Sequence, residues 1–113
     1  MHELGITENI LSIALEQAQQ RDAKKILKIR LKIGEMTAVV DECIRFYFEI
    51  LSKDTMAEGA EIEVENVPIK VKCPRCGKIR EANDYNFICP QCEVLSTEIV
   101  SGRELYVSSI EIE

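Results

Sequence analysis

Apolar positions in the chain first repeat at helical spacing. Between Leu4 and Gln20, Ile10, Leu11, Ala14, Leu15 and Ala18 recur at steps of three and four, with Glu8, Glu16, Gln17 and Gln20 mostly on the other side. An amphipathic helix is expected, starting almost at the first residue. The period then falls to two: Leu27, Ile29, Leu31 and Ile33 alternate with Lys28, Arg30 and Lys32 as far as Gly34, the pattern of a half-buried strand with one basic face. DECIRFYFEILSKD returns to helical spacing, with Asp41 as N-cap or first-turn acid and Ile44, Tyr47, Phe48 and Leu51 as a buried stripe. After Gly59, AEIEVENV alternates Ile62 and Val64 with Glu61, Glu63 and Glu65. A last strand is expected in GRELYVSSIEIE, where Tyr106, Ser108, Ile110 and Ile112 share one face and Val107, Ser109, Glu111 and Glu113 the other. Its pattern leaves open which face is buried.

Lys28, Arg30 and Lys32 resemble an anion-binding row. Opposite charges facing each other across a sheet stabilise it by roughly 0.2 to 1 kcal/mol per pair, however, and two acidic strands are at hand. The basic strand is therefore expected beside one or both of them. Two helices covering a three-stranded mixed sheet give an α+β unit. Pro68, which has no N–H for a ladder, and Gly102 mark where an inserted segment leaves and returns. The expected division is residues 1–67 with 103–113 as one domain and 68–102 as an inserted zinc-ribbon domain.

At 113 residues the chain has the size of one small domain, with 46% hydrophobic and 30% charged residues. The acidic residues interrupting the first twenty positions argue against a membrane span or signal peptide, so a cytoplasmic protein is expected. A net charge of −6 repels a phosphate backbone, which counts against nucleic acid as partner.

Four of the five cysteines form two Cys-Pro-x-Cys pairs, Cys73 with Cys76 and Cys89 with Cys92, separated by twelve residues that suit a small hairpin through Asp84 and Asn86. Each pair offers two thiolates from one tight turn, and two such turns complete the tetrahedral S4 site that Zn2+ favours. A segment of about thirty residues has little interior, so a structural metal is expected to hold it, contributing about 10 to 16 kcal/mol near neutral pH. With four protein ligands no position stays open for a water, and the site is not catalytic. Cys43, on the second helix, is expected to be a small buried residue and not a ligand.

His2 is the single histidine. A lone histidine at a chain end ordinarily does nothing, but here a helix follows at once, and a side chain this bulky at position two should protect Met1 from removal. The α-amine, the intervening amide nitrogens and the imidazole then lie within one chelating reach, a donor set suited to square-planar Ni(II) or Cu(II).

Taken together, MHEL at the start, VVDECIRFYFEIL, AEIEVENVPIKVKC, CPRCG, FICPQC and the terminal GRELYVSSIEIE resemble the HypA family, nickel-delivering maturation factors of nickel–iron hydrogenases, along nearly the whole chain. The resemblance implies that His2, the Met1 amine and neighbouring backbone nitrogens hold Ni(2+) as transient cargo, with Glu3 as the acidic residue beside it. It places structural Zn(2+) on Cys73, Cys76, Cys89 and Cys92. It further implies a carrier and not an enzyme, working with a HypB-like nickel GTPase and the hydrogenase large subunit, or in some members toward urease, and it allows a homodimer. Two positions depart from the family pattern: Gly5 stands where many members have Ser, and Glu93 follows CPQC where such a turn often has Gly, the residue that accepts a left-handed conformation without cost. The alternatives are a zinc-ribbon module binding protein or nucleic acid, for which stacking aromatics are scarce, and a dithiol oxidoreductase, which lacks βαβ surroundings.

Overall fold

Spacing by three and four puts Thr7, Ile10, Leu11, Ala14 and Ala18 on the buried side of helix α1 (Glu3–Gln20) in the computed structural model, which describes residues 3–113. Leu15 is half-buried at its margin. The helix closes in a Schellman turn: Ala23 N–H reaches Ala18 O, Asp22 N–H reaches Gln19 O, and Asp22 takes the left-handed conformation at φ 52. Strand β1 (Ile26–Gly34) follows, then a 3-10 turn (Glu35–Thr37), helix α2 (Asp41–Leu51) and strand β2 (Glu61–Val67). Three short strands come next, β3 (Lys70–Lys72), β4 (Ile79–Glu81) and β5 (Glu98–Ser101), and β6 (Leu105–Ile112) ends the chain.

Contacts divide the chain into two compact units. The first holds the chain up to Lys32, Val39–Glu65 and Tyr106–Glu113; the second holds Ile33–Ala38 and Asn66–Leu105.

In the first unit α1 and α2 pack together beside a three-stranded sheet ordered β2-β1-β6. Lys28 pairs with Glu61 and Glu63, Arg30 with Glu63, and Lys32 with Glu65, advancing in step along both strands, so β1 and β2 are parallel and joined through α2. Strand β6 runs antiparallel to β1, with Lys24 N–H on Glu113 O and Glu113 N–H on Lys25 O where β6 ends. Arg30 also reaches Glu111 at 2.8 Å and Ser109 at 3.3 Å, so the basic strand sits between both acidic ones. These contacts turn Ser109 and Glu111 toward the charged face and leave Ile110 and Ile112 half-buried on the other, as the alternation predicts, while Val107 is half-buried as well.

Ile29, Leu31, Ile44 and Phe48 form the buried interior of this unit with Ile10, Leu11, Ala14 and Ala18. The stripe expected on α2 narrows to Ile44 and Phe48; Tyr47 and Leu51 are half-buried, as is Cys43, which the sequence placed inside. Arg45 ties α2 to the sheet, with Nη1 on Asp41 at 2.7 Å and Nη2 on the Ile62 carbonyl at 3.3 Å. That guanidinium holds the Asp41 carboxyl below its ordinary range. No helix among the described residues is long and apolar enough to cross a membrane.

The second unit contains the antiparallel sheet β4-β3-β5, pairing Val71 with Arg80 on one side and Ile99 on the other. Its buried cluster is small: Ile69, Val71 and Ala82, with Met36, Phe87 and Ile99 packed against them. Gly34 donates to Glu104 O at 2.6 Å and Met36 N–H to Gly102 O at 2.8 Å, while Ser101 Oγ donates to Pro68 O at 2.8 Å.

A Cβ on Gly34 would penetrate the Gly102 carbonyl group, whereas one on Gly5 meets nothing within 4 Å. Gly34→Ala is therefore expected to destabilise the chain by about 1–3 kcal/mol, because backbone must shift to admit the methyl. Gly5→Ala is expected to stabilise it by roughly 0.5–1 kcal/mol by lowering the entropy lost within a helix. Urea denaturation of the two variants beside the parent checks both signs.

Candidate metal centre

Cys-Pro-x-Cys followed by a left-handed residue builds the same turn twice. In the first, Gly77 N–H donates to Cys73 O at 3.0 Å and Cys73 N–H to Lys78 O at 3.0 Å. In the second, Glu93 N–H donates to Cys89 O at 2.8 Å and Cys89 N–H to Val94 O at 2.9 Å. Gly77 has φ 75 and Glu93 φ 56, so the Gly expected after the second pair is replaced at a position that is left-handed. The linking segment turns at Asn83–Tyr85, where Asp84 and Tyr85 also have positive φ, and returns through an antiparallel bridge between Ile88 and Leu95.

Both turns point their thiols at one another. The sulfurs of Cys73, Cys76, Cys89 and Cys92 all lie within 4.8 Å of one another, the one such convergence of His, Cys, Asp or Glu ligand atoms among the described residues. Cys76 and Cys89 stand 3.8 Å apart, which matches the edge of about 3.8 Å that four sulfurs at about 2.3 Å from a tetrahedral Zn2+ would share. The donor set is soft and complete, and it fits zinc. Cys73 and Cys89, the first of each pair, are buried; Cys92 is half-buried and Cys76 exposed. Cys43 takes no part in the cluster.

Backbone N–H groups prepare the cluster for charge. Cys76 and Arg75 N–H lie 3.5 and 3.4 Å from Cys73 Sγ and bring that thiol down to about 6 against the opposing effect of burial. The N–H groups of Cys92 and Gln91 lower Cys89 in the same way. Cys92 is pushed up to about 12, by burial first and then by the thiols of Cys76 and Cys73. Four thiols this close cannot all lose their protons unless a cation joins them.

At the other candidate site, Met1 and His2 lie outside the described residues, and the description starts with Glu3. Glu3 belongs to the first turn of α1 and is held twice: its carbonyl accepts Thr7 Oγ1 at 2.6 Å, and its carboxylate accepts Val40 N–H at 3.3 Å. Val40 is the N-cap of α2 and offers no capping side chain of its own. Glu3 thus supplies, from 37 residues away, the acceptor and the negative charge that a helix start favours. Nothing in the sequence marks Val40 as its partner, because the pairing depends on how α1 lies against α2.

Comparison with known proteins gives one family. The model described as "HypA: Hydrogenase/urease nickel incorporation, metallochaperone, hypA" matches residues 1–112. The hydrogenase maturation factor HypA of Caldanaerobacter subterraneus is 40% identical, over all of this chain and all of its own length. That of Dehalococcoides mccartyi strain 195 is 38% identical over all of this chain and 95% of its own. The solution structure of the nickel metallochaperone HypA from Helicobacter pylori superposes with a TM-score of 0.68 at 21% identity, covering 99% of this chain and 97% of that one. A second solution structure of a HypA protein gives 0.74 at 22%, covering 100% and 97%. At these identities the two structures support the fold alone.

Glu93 carries a Cβ in a conformation that costs an L-residue about 1–2 kcal/mol. Glu93→Gly is expected to stabilise the second turn by roughly 1 kcal/mol, read as slower amide hydrogen exchange at Glu93 and Val94 with the first turn unchanged.

Proposed function

The chain belongs to the HypA family of nickel-incorporation metallochaperones, and we propose that it takes up Ni(II) at its amino terminus and delivers it to a nickel–iron hydrogenase large subunit. Urease is the alternative acceptor within the same family description. The observation that carries this reading is the double fixing of Glu3, by Thr7 and by Val40, which joins the two residues ahead of it to a rigid point. A short chelate needs such a support, because ordering a loose terminus around an ion would consume binding energy.

In this mechanism the Met1 amine, the His2 imidazole and the intervening backbone nitrogens grip the cargo in a plane, and Glu3 lends a backbone nitrogen and a neighbouring carboxylate. The amine and amides must lose protons to bind, so a fall in pH loosens the grip and a rise tightens it. Charge assists uptake. Fourteen carboxylates against eight Lys and Arg give the first unit the whole net charge of −6, while the second balances six against six. That field concentrates a small cation near the first unit.

Cys73, Cys76, Cys89 and Cys92 would hold zinc, which when bound cross-links the two turns and supplies no chemistry beyond that. Residues 68–102 would then act as a separately stapled domain beside a nickel-binding domain of residues 1–67 and 103–113. The protein works in the cytoplasm as a carrier, handing its ion on with a HypB-like nickel GTPase. A reducing compartment suits four thiols kept as ligands.

Untagged protein is expected to bind about one Ni(II) per chain beyond zinc, with a diamagnetic planar spectrum. His2→Ala, or one residue added before Met1, is expected to abolish this; nickel binding unchanged in either variant rules the proposed site out. Glu3→Ala should weaken nickel several-fold through the lost cap, worth about 1 kcal/mol, while Glu3→Gln, which keeps an acceptor for Val40 N–H, should retain most of the affinity. If Gln weakens binding as much as Ala does, the carboxylate acts through its charge and not as an anchor. At pH 7.5 zinc binding should release at least one proton, since Cys92 stays protonated until the metal arrives, so apparent zinc affinity rises with pH. An indicator dye in weak buffer measures the release.

A further inference from the structure

The sheet of the first unit has an open edge with a groove beside it. In the order β2-β1-β6, β6 is bonded to β1 on one side and to no other strand among the described residues. A groove of about 500 Å³ lies between residues 107–110 and 112 of β6 and Ile13, Gln17 and Arg21 of α1. Successive side chains of a strand point to opposite faces, so four consecutive residues line one groove only where it follows the backbone edge itself. The hollow near the other edge differs: it touches β2 only at Ile62 and otherwise follows α2 and residues 58–60. Strand β6 also lacks the usual protection of an edge. It spans 8 residues with neither Lys nor Pro, and Leu105 and Tyr106 stay exposed, as does Ile13 across the groove.

The chemistry of this edge selects what can fill it. One face of the sheet alternates in charge: carboxylates on β2, then Lys28, Arg30 and Lys32 on β1, then Glu111 on β6, which pairs with Lys28 and Arg30. Glu113, two residues on, falls on the same face. The next strand in this series should be basic, because opposite charges on neighbouring strands stabilise a sheet and like charges oppose it. The groove face asks for the reverse. Ile13, Ile110 and Ile112 offer apolar surface there, and Arg21, bonded to Gln17 at 2.8 Å, disfavours a cation. A second copy of the chain fits poorly, since its own outer strands are acidic and the first unit carries the whole net charge of −6.

We propose that the free edge of β6 docks an extended segment of a partner protein, one that alternates apolar and basic residues, as a fourth strand of the sheet. The segment's main chain bonds to the outward N–H and C=O groups of β6. Its apolar side chains enter the groove beside Ile13, and its basic ones face Glu111 and Glu113. The pairing uses no metal ligand, so it holds whether or not the amino terminus takes up nickel.

The probe is a blocked peptide of alternating Val and Lys with Thr at both ends, titrated into zinc-loaded, full-length, 15N-labelled protein. Saturable shifts and slowed hydrogen exchange are expected at amides within residues 105–112 and not within 61–67. A peptide with Glu in place of Lys should bind about tenfold more weakly. N-methylation at the Val residues removes the donors along one edge of the peptide, and at the Lys residues those along the other. One of these two peptides should lose binding and the other keep it, because only one edge meets β6. Ile13→Gln, at an exposed position of α1, should weaken binding about fivefold by removing apolar surface from the groove. Glu113→Gln should weaken it about twofold to fivefold at low salt. The proposal is overturned if no amide within 105–112 shifts, if the Glu peptide binds as tightly, if both N-methylated peptides bind as the parent does, or if Ile13→Gln changes nothing. Shifts at the same amides on concentrating the protein alone, with a doubled sedimentation mass, assign the edge to a second copy and also overturn it.

Discussion

Four sulfur atoms within 4.8 Å of one another are the constraint on which the second unit depends. Its buried cluster of Ile69, Val71 and Ala82 is too small to order the segment by hydrophobic burial alone. Everything local to the sulfurs serves their convergence. Proline and a left-handed residue shape each turn, backbone N–H groups face the inner thiols, and the hairpin through Asn83–Tyr85 brings the second turn back to the first. The N–H groups favour thiolate at Cys73 and Cys89, while burial raises the Cys92 thiol, so all four can be thiolates together only with a cation among them.

The first unit rests on a different balance. Helices α1 and α2 bury a conventional apolar interior, and the charged face of the sheet satisfies itself, with Lys28 and Arg30 set between carboxylates of β2 and β6 and Lys32 paired with Glu65 of β2. Each such exposed pair adds little stability, but together they favour the parallel neighbour and the antiparallel neighbour in one register. At one end of this unit Glu3 caps α2, so the first turn of α1 is tied to α2 by a contact between residues far apart in sequence.

Periodicity alone located both helices and the three long strands, because each has a run of apolar residues long enough to reveal its spacing. Strands β3, β4 and β5, of three or four residues, are too short for any alternation to show, and they exist because the sulfur cluster and Val71 bring them together. Helical spacing makes the α2 stripe wider than the buried surface, since Tyr47 and Leu51 are only half-buried. The convergence of the four cysteines was legible, because two repeated Cys-Pro-x-Cys turns announce it. Val40 as partner of Glu3 was not, since it depends on a tertiary neighbour that no spacing rule names. The strain at Glu93 was half legible: the missing Gly is plain in the sequence, but the φ of 56 that makes it costly is a property of the fold.

On the proposed function one chain keeps two metals on two separate donor sets, nitrogen for cargo and sulfur for structure. X-ray absorption at the nickel and zinc edges of the untagged, doubly loaded protein tests it most directly. Nickel is expected with nitrogen or oxygen neighbours only and zinc with four sulfurs at about 2.3 Å, unchanged by nickel loading. Sulfur scattering around nickel, or loss of zinc–sulfur scattering when nickel is added, would contradict it.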